Sequence, residues 1–187
     1  MKKNLLISLR LSIIFLIICS ILFPALIAGI AKLSPGGGNG VKVSLNGKVV
    51  GYELIGQKFT LDKYFWGRPS AVDYNAAGSA GSNKGPANPD YLKTVQDRID
   101  SFLVHNPGVK KSEIPAELVT ASGSGLDPDI SPGSAYLQVK RIASARNVSE
   151  EKLNALITSL VNKPLGGFFA PETVNVLKLN VALDELK

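Results

Sequence analysis

The stretch LSIIFLIICSILFPALIAGIA, Leu11 to Ala31, runs for 21 residues without a charge. As a helix rising about 1.5 Å per residue it would cover roughly 32 Å, enough to cross a bilayer. Pro24 lies inside the run and predicts a kink, which a transmembrane helix tolerates when neighbouring helices or waters satisfy the freed carbonyl. A cleavable signal peptide is the alternative, because Gly29 and Ala31 are small residues at suitable spacing for processing. The run exceeds the usual core of about 7 to 15 residues, which favours a retained span. Ile18 stands where lipidation of Cys19 would need a small residue.

Charge then sets an expected orientation. Lys2, Lys3, Arg10 and Lys32 flank the run, no acidic residue precedes Glu53, and the rest of the chain has 17 basic against 15 acidic residues. The formal +6 therefore reflects basic flanks of a membrane segment rather than a groove tracking nucleic acid. The positive-inside rule places residues 1–10 in the cytoplasm, residues 11–31 in the membrane and everything beyond outside. SPGGGNG, within residues 32–40, reads as a flexible tether, and residues 41–187 as one α+β extracytoplasmic domain. Cys19 is the only cysteine, so that domain has no internal disulfide and must rely on packing.

Within the domain, VVGYELIGQKF suggests one or two short strands, and Gly67 to Asn88 a long loop without period. The aromatics Tyr64, Phe65, Trp66 and Tyr74, with Asn75, make that region either functional or an anchor of loop to core. Asn88-Pro89 opens an amphipathic helix carrying Leu92, Val95, Ile99, Phe102 and Leu103. A second helix is predicted from Ser131-Pro132, with Ala135, Val139, Ile142 and Ala143 on its apolar face and Arg141 off it. A third follows Ser149, with Glu150 and Glu151 at its positive end. TVNVLKLNVALDELK starts β-like and ends with helical spacing.

Catalytic motifs are missing where they would be sought. TASGSGLDPDISPGS, residues 120–134, has no lysine placed as a Walker loop requires, and neither Ser124 nor Ser79 has the glycines of a hydrolase elbow. His105, the single histidine, fits a helix C-terminal cation, and Asp127 and Asp129 fit turns and caps. No spacing suggests a metal site.

YFWGRPSAVDYN, GSNKGPANP, LVTASGSGLDPDISPGSAYLQVKRIASAR and VNVLKLNVAL, behind a leading span, resemble the KdpC family, the C subunits of bacterial Kdp potassium-transporting P-type ATPases. The chain departs from the family pattern at Ala80, at Asp129 and at Ala170-Pro171-Glu172-Thr173. The resemblance implies a non-catalytic accessory subunit in the bacterial plasma membrane. Its partners would be a channel-like potassium subunit, an ATP-hydrolysing P-type subunit and a small membrane peptide. It also implies a catalytic chaperone that raises ATP affinity through a ternary complex, with no covalently bound cofactor. An exterior domain cannot touch cytoplasmic ATP, so the orientation requires that effect to pass through the membrane subunits.

Interface candidates are Arg68, Tyr74 and Asn75 in the loop, and Ala25, Ala28 and Gly29 on the span, where small side chains let another helix approach. Candidates for nucleotide contact are Gln138 and the hydroxyls of Thr120, Ser122 and Ser124. The rival class is a membrane-anchored extracytoplasmic hydrolase, which would need a serine activated by a base.

Overall fold

The computed structural model describes residues 2–164 and 170–186. Two compact units are present, Met1–Val41 and Lys42–Lys187. The first is helical: α1 (Lys2–Ile17), a π-helical turn (Ile18–Leu22) and α2 (Phe23–Ala31). Within Lys3–Ala31 an 18-residue stretch has a mean hydropathy of 2.9, and by length and composition the helix can cross a membrane. The π turn ends two residues before Pro24, whose missing N–H breaks the regular ladder. A widened turn is one way a helix absorbs that break.

The second unit opens with an antiparallel hairpin, β1 (Lys42–Leu45) and β2 (Lys48–Tyr52). Asn46 and Gly47 both have positive φ, 50° and 77°, as a two-residue type I′ turn needs, and Leu45 pairs with Lys48 across it. The predicted strand region thus holds only β2; its partner lies upstream, and residues 53–59 add no strand. Residues 53–88 then run without helix or strand.

Helix α3 (Pro89–His105) starts as its sequence signals, with the Asn88 side chain accepting from Tyr91 N–H at 3.0 Å. Beyond two short 3₁₀ turns come β3 (Asp129–Ile130), α4 (Pro132–Tyr136), α5 (Val139–Arg146) and α6 (Glu150–Leu160). The chain closes with β4 (Val161–Asn162), β5 (Thr173–Asn175) and α7 (Val176–Glu185). The helix predicted from Ser131-Pro132 is therefore two helices. Gln138 N–H bonds the carbonyl three residues back, on Ala135, which tightens the chain between them. Arg141 is a second correction, for it is buried rather than carried off the apolar face.

β5 pairs antiparallel with β3 on one side and β4 on the other, a three-stranded sheet against which α4, α6 and α7 pack. The core lies there. Ile130, Ala135, Ile142, Leu153, Ile157, Val174 and Leu179 are all buried, and truncating Leu153 or Ile157 to alanine would cost about 2 to 5 kcal/mol.

Candidate functional site

Phe65 is the loop aromatic that enters this core, where Phe102 of α3 is also buried, and two side-chain amides hold the backbone of Phe65 and of the next residue. Asn180, on α7, accepts from Phe65 N–H at 2.8 Å and donates to the Phe65 carbonyl at 3.0 Å. Gln138 repeats the arrangement one residue on, accepting from Trp66 N–H at 2.8 Å and donating to its carbonyl at 3.1 Å. Each amide substitutes for a neighbouring strand, supplying one donor and one acceptor to a backbone that has no sheet partner.

Arg141, on α5, completes the clamp. Its Nε donates to Asn106 Oδ1 at 3.0 Å, one terminal nitrogen to the carbonyls of Asp62 and Tyr64, and the other to Gln138 Oε1 at 2.7 Å. The guanidinium also lies 4.3 Å from the centre of the Trp66 ring. Burial lowers its pKa to about 10 against the opposing pull of Asp62. Arg146 adds a bond to the Lys63 carbonyl at 2.7 Å and an ion pair with Asp184, whose carboxylate also accepts from the Tyr64 hydroxyl. Tyr64, Phe65 and Trp66 thus anchor loop to core.

Downstream, the loop folds on itself. Ser70 Oγ accepts from the N–H groups of Val72 and Tyr74, in a turn where Asp73 and Tyr74 both have positive φ. Tyr74 is half-buried, and its hydroxyl donates to the Arg68 carbonyl at 2.7 Å. Burial pushes the Tyr74 phenol up, with Arg98 pulling the other way. Arg68 pairs with Asp127 at 2.9 Å. Of the three loop candidates, Arg68 and Tyr74 therefore bond within the domain, while Asn75 is exposed and caps its own turn by accepting from Ala77 N–H.

Residues 120–134 turn the chain at close quarters. A Cβ on Gly125, whose φ is +68°, would sit 2.7 Å from the Ala80 carbonyl oxygen. Thr120 donates to the Ala116 carbonyl, Ser124 Oγ accepts from Leu126 N–H, and Ser122 is buried. Gln138 is fully buried with donors and acceptor both engaged, which leaves its amide nothing to offer a nucleotide. The four residues do not form one exposed cluster. Ser131 caps α4 and, with Ser134, donates to Glu117 Oε1. Burial would raise the Glu117 pKa, but those hydroxyls and Ser131 N–H outweigh it and hold the carboxyl below its usual range.

Beside the anchored loop, Phe59, Trp66, Tyr74, Arg98, Phe102 and His105 line a groove of about 440 Å³. His105 ends α3 as the sequence suggests, with Nδ1 2.7 Å from Asp62 Oδ1. Among the described residues no His, Cys, Asp and Glu side chains gather as a metal site. On the span, Ala25, Ala28 and Gly29 are exposed at helical spacing, and a Cβ on Gly29 would meet nothing within 4 Å. The clamp itself was missed in the sequence; the amides at positions 138 and 180 carried no periodic signal.

Residues 5–185 match the family model described as KdpC, the c chain of the K+-transporting ATPase. A potassium-transporting ATPase KdpC subunit of Flavobacterium johnsoniae is 60% identical over 99% of this chain and 100% of its own length. The corresponding subunit of Bacteroides fragilis is 52% identical over 99% and 98%. That of Caldanaerobacter subterraneus is 46% identical over 96% and 94%.

Proposed function

Since this chain belongs to the KdpC family of potassium-transporting ATPase subunits, we propose that it is a non-catalytic accessory subunit, held in the membrane by Leu11–Ala31 with its α+β domain outside the cytoplasm. It assembles with the channel-like potassium subunit, the ATP-hydrolysing P-type subunit and the small membrane peptide of the complex. Its contribution is to raise the ATP affinity of the hydrolysing subunit, through contacts that cross the membrane subunits rather than through a nucleotide pocket of its own.

The observation that carries this reading is the commitment of Gln138, Arg141 and Asn180 to the backbone of residues 62–66. Their polar groups fix a loop, as a docking platform requires, and pre-organised surfaces bind partners at lower entropic cost. The span supports the anchoring. It is uninterrupted by charge, with Lys2, Lys3 and Arg10 before it.

Topology is tested with Ser44→Cys in a Cys19→Ala background. Ser44 is exposed on β1, and the new thiol should react with an impermeant reagent in intact cells. Labelling only after lysis would place the domain inside, and a mature chain starting at Lys32 would make the segment a signal peptide.

A further inference from the structure

The β1–β2 hairpin presents two different faces. Lys42 pairs with Tyr52 and, past a β-bulge between Val43 and Ser44, Ser44 pairs with Val49, which sets these four on one side, while Val43 pairs with Gly51 and Leu45 with Lys48 on the other. The Gly51 side is the inner one, because a Cβ there would meet the side chains of Gln57 and Leu177 within 2.9 Å. Val49 and Tyr52 therefore point away from the domain, 54% and 41% exposed, and Leu54 just beyond β2 is 71% exposed.

This apolar face carries positive charge at one end, on Lys42, whereas Lys48 pairs with Leu45 beside the turn and so starts from the Gly51 side. Lys42 and Lys48 are exposed and form no ion pair among the described residues. Glu53, the first acidic residue of the chain, is paired with Lys178. Only residues 32–41 separate the apolar helix from β1, a covalent reach of about 35 Å even when fully extended. An apolar and aromatic patch with a lysine at one end, tethered by so short a segment to an apolar span, matches the composition of segments that lie in the headgroup region.

We propose that the outward face of the hairpin binds the anionic lipid surface, with Val49, Tyr52 and Leu54 at headgroup depth and Lys42 against lipid phosphates. The proposal rests on Leu11–Ala31 spanning the membrane. An interfacial hairpin added to the span would orient the domain more firmly than the glycine-rich tether alone.

The test uses the full chain with Cys19→Ala, reconstituted in vesicles of equal phosphatidylglycerol and phosphatidylcholine. Single cysteines at Val49, Leu54, Val104 or Ile21 carry an environment-sensitive fluorophore, and a spin-labelled lipid serves as quencher. Labels at positions 49 and 54 should be quenched about twofold more than the label at Val104, which is 77% exposed on α3. That contrast should shrink in phosphatidylcholine alone and in Lys42→Glu. No quenching at position 21 would overturn the membrane reading itself. Quenching at position 21 with positions 49 and 54 no different from 104 would overturn the hairpin proposal alone. Shielding of 49 and 54 only after the other subunits are added would assign the face to a protein partner, and a contrast indifferent to charge would remove the anionic lipid.

Discussion

Gln138 grips Trp66 by both ends of its backbone: Oε1 accepts from the Trp66 N–H at 2.8 Å and Nε2 donates to the Trp66 carbonyl at 3.1 Å. The same oxygen takes a terminal N–H of Arg141, and the same nitrogen serves the Ser134 carbonyl. One buried amide thus joins α4, α5 and the long loop.

Gln138→Met keeps the volume but strands the Trp66 N–H and one guanidinium donor in the interior. It should lower domain stability by about 3 kcal/mol, since each buried unsatisfied group costs about 1 to 3. Thr120→Val, at a partly exposed hydroxyl, should cost under about 1 kcal/mol. Urea unfolding followed by circular dichroism compares them, and equal midpoints would show that the clamp contributes nothing.

Arg141→Lys should be nearly as damaging as Arg141→Met. A lysine ammonium has no planar fork to reach Asn106, Gln138 and the loop carbonyls together. A lysine variant with wild-type thermal stability would show that charge over the Trp66 ring, not the fork, matters.

Two carboxylates should respond to pH with opposite sign. Glu117 has its folded pKa depressed, so its ionised form adds stability above the unfolded value near 4.5 and loses it as pH falls through the folded one. Glu117→Gln should destabilise at pH 7, with the difference closing on acidification. Asp129 is lifted by burial and by Asp127 and Glu53, with Asn175 and Lys178 opposing, so its charge destabilises the folded state above that raised pKa. Asp129→Asn should raise the thermal midpoint at pH 7, with the gain fading as pH falls through the carboxylate range. Matching signs for the two variants would contradict the assignment.

In the loop, the hydroxyl of Tyr74 supports the Arg68 carbonyl, so Tyr74→Phe should cost about 1 kcal/mol before any partner is considered. Asn75 is the better probe of an interface. Asn75→Arg should leave the thermal midpoint within about 1 °C yet lower potassium-stimulated ATP hydrolysis by the complex if this turn meets a partner. Unchanged hydrolysis would remove the turn from the interface.

Replacing Ala25, Ala28 and Gly29 together with leucine should weaken co-purification with the other subunits while membrane insertion persists, because bulk on that face holds a neighbouring helix away. Full recovery of the complex would shift the contact elsewhere on the span.

The sequence exposed whatever was local. The Asn88 cap and the Ser149 cap each stand on adjacent residues and form as their signals say, while TVNVLKLNVALDELK, whose mixed pattern leaves its type open, resolves into a strand and a helix. The Asn46-Gly47 turn is equally local, but it lies upstream of VVGYELIGQKF, the run whose composition suggests strands. The clamp was hidden for a different reason. Gln138 is 72 residues from Trp66 and Asn180 is 115 from Phe65, and no periodicity links such pairs. Arg141 followed the same rule: a charged residue looks exposed until its buried partners are known.

The accessory role is tested most directly by titrating ATP against potassium-stimulated hydrolysis in the complex assembled with and without this chain. The account predicts that the chain alone hydrolyses no ATP and that its presence lowers the ATP concentration for half-maximal rate. Hydrolysis by the purified chain, or an ATP dependence that is the same with and without it, would contradict the account.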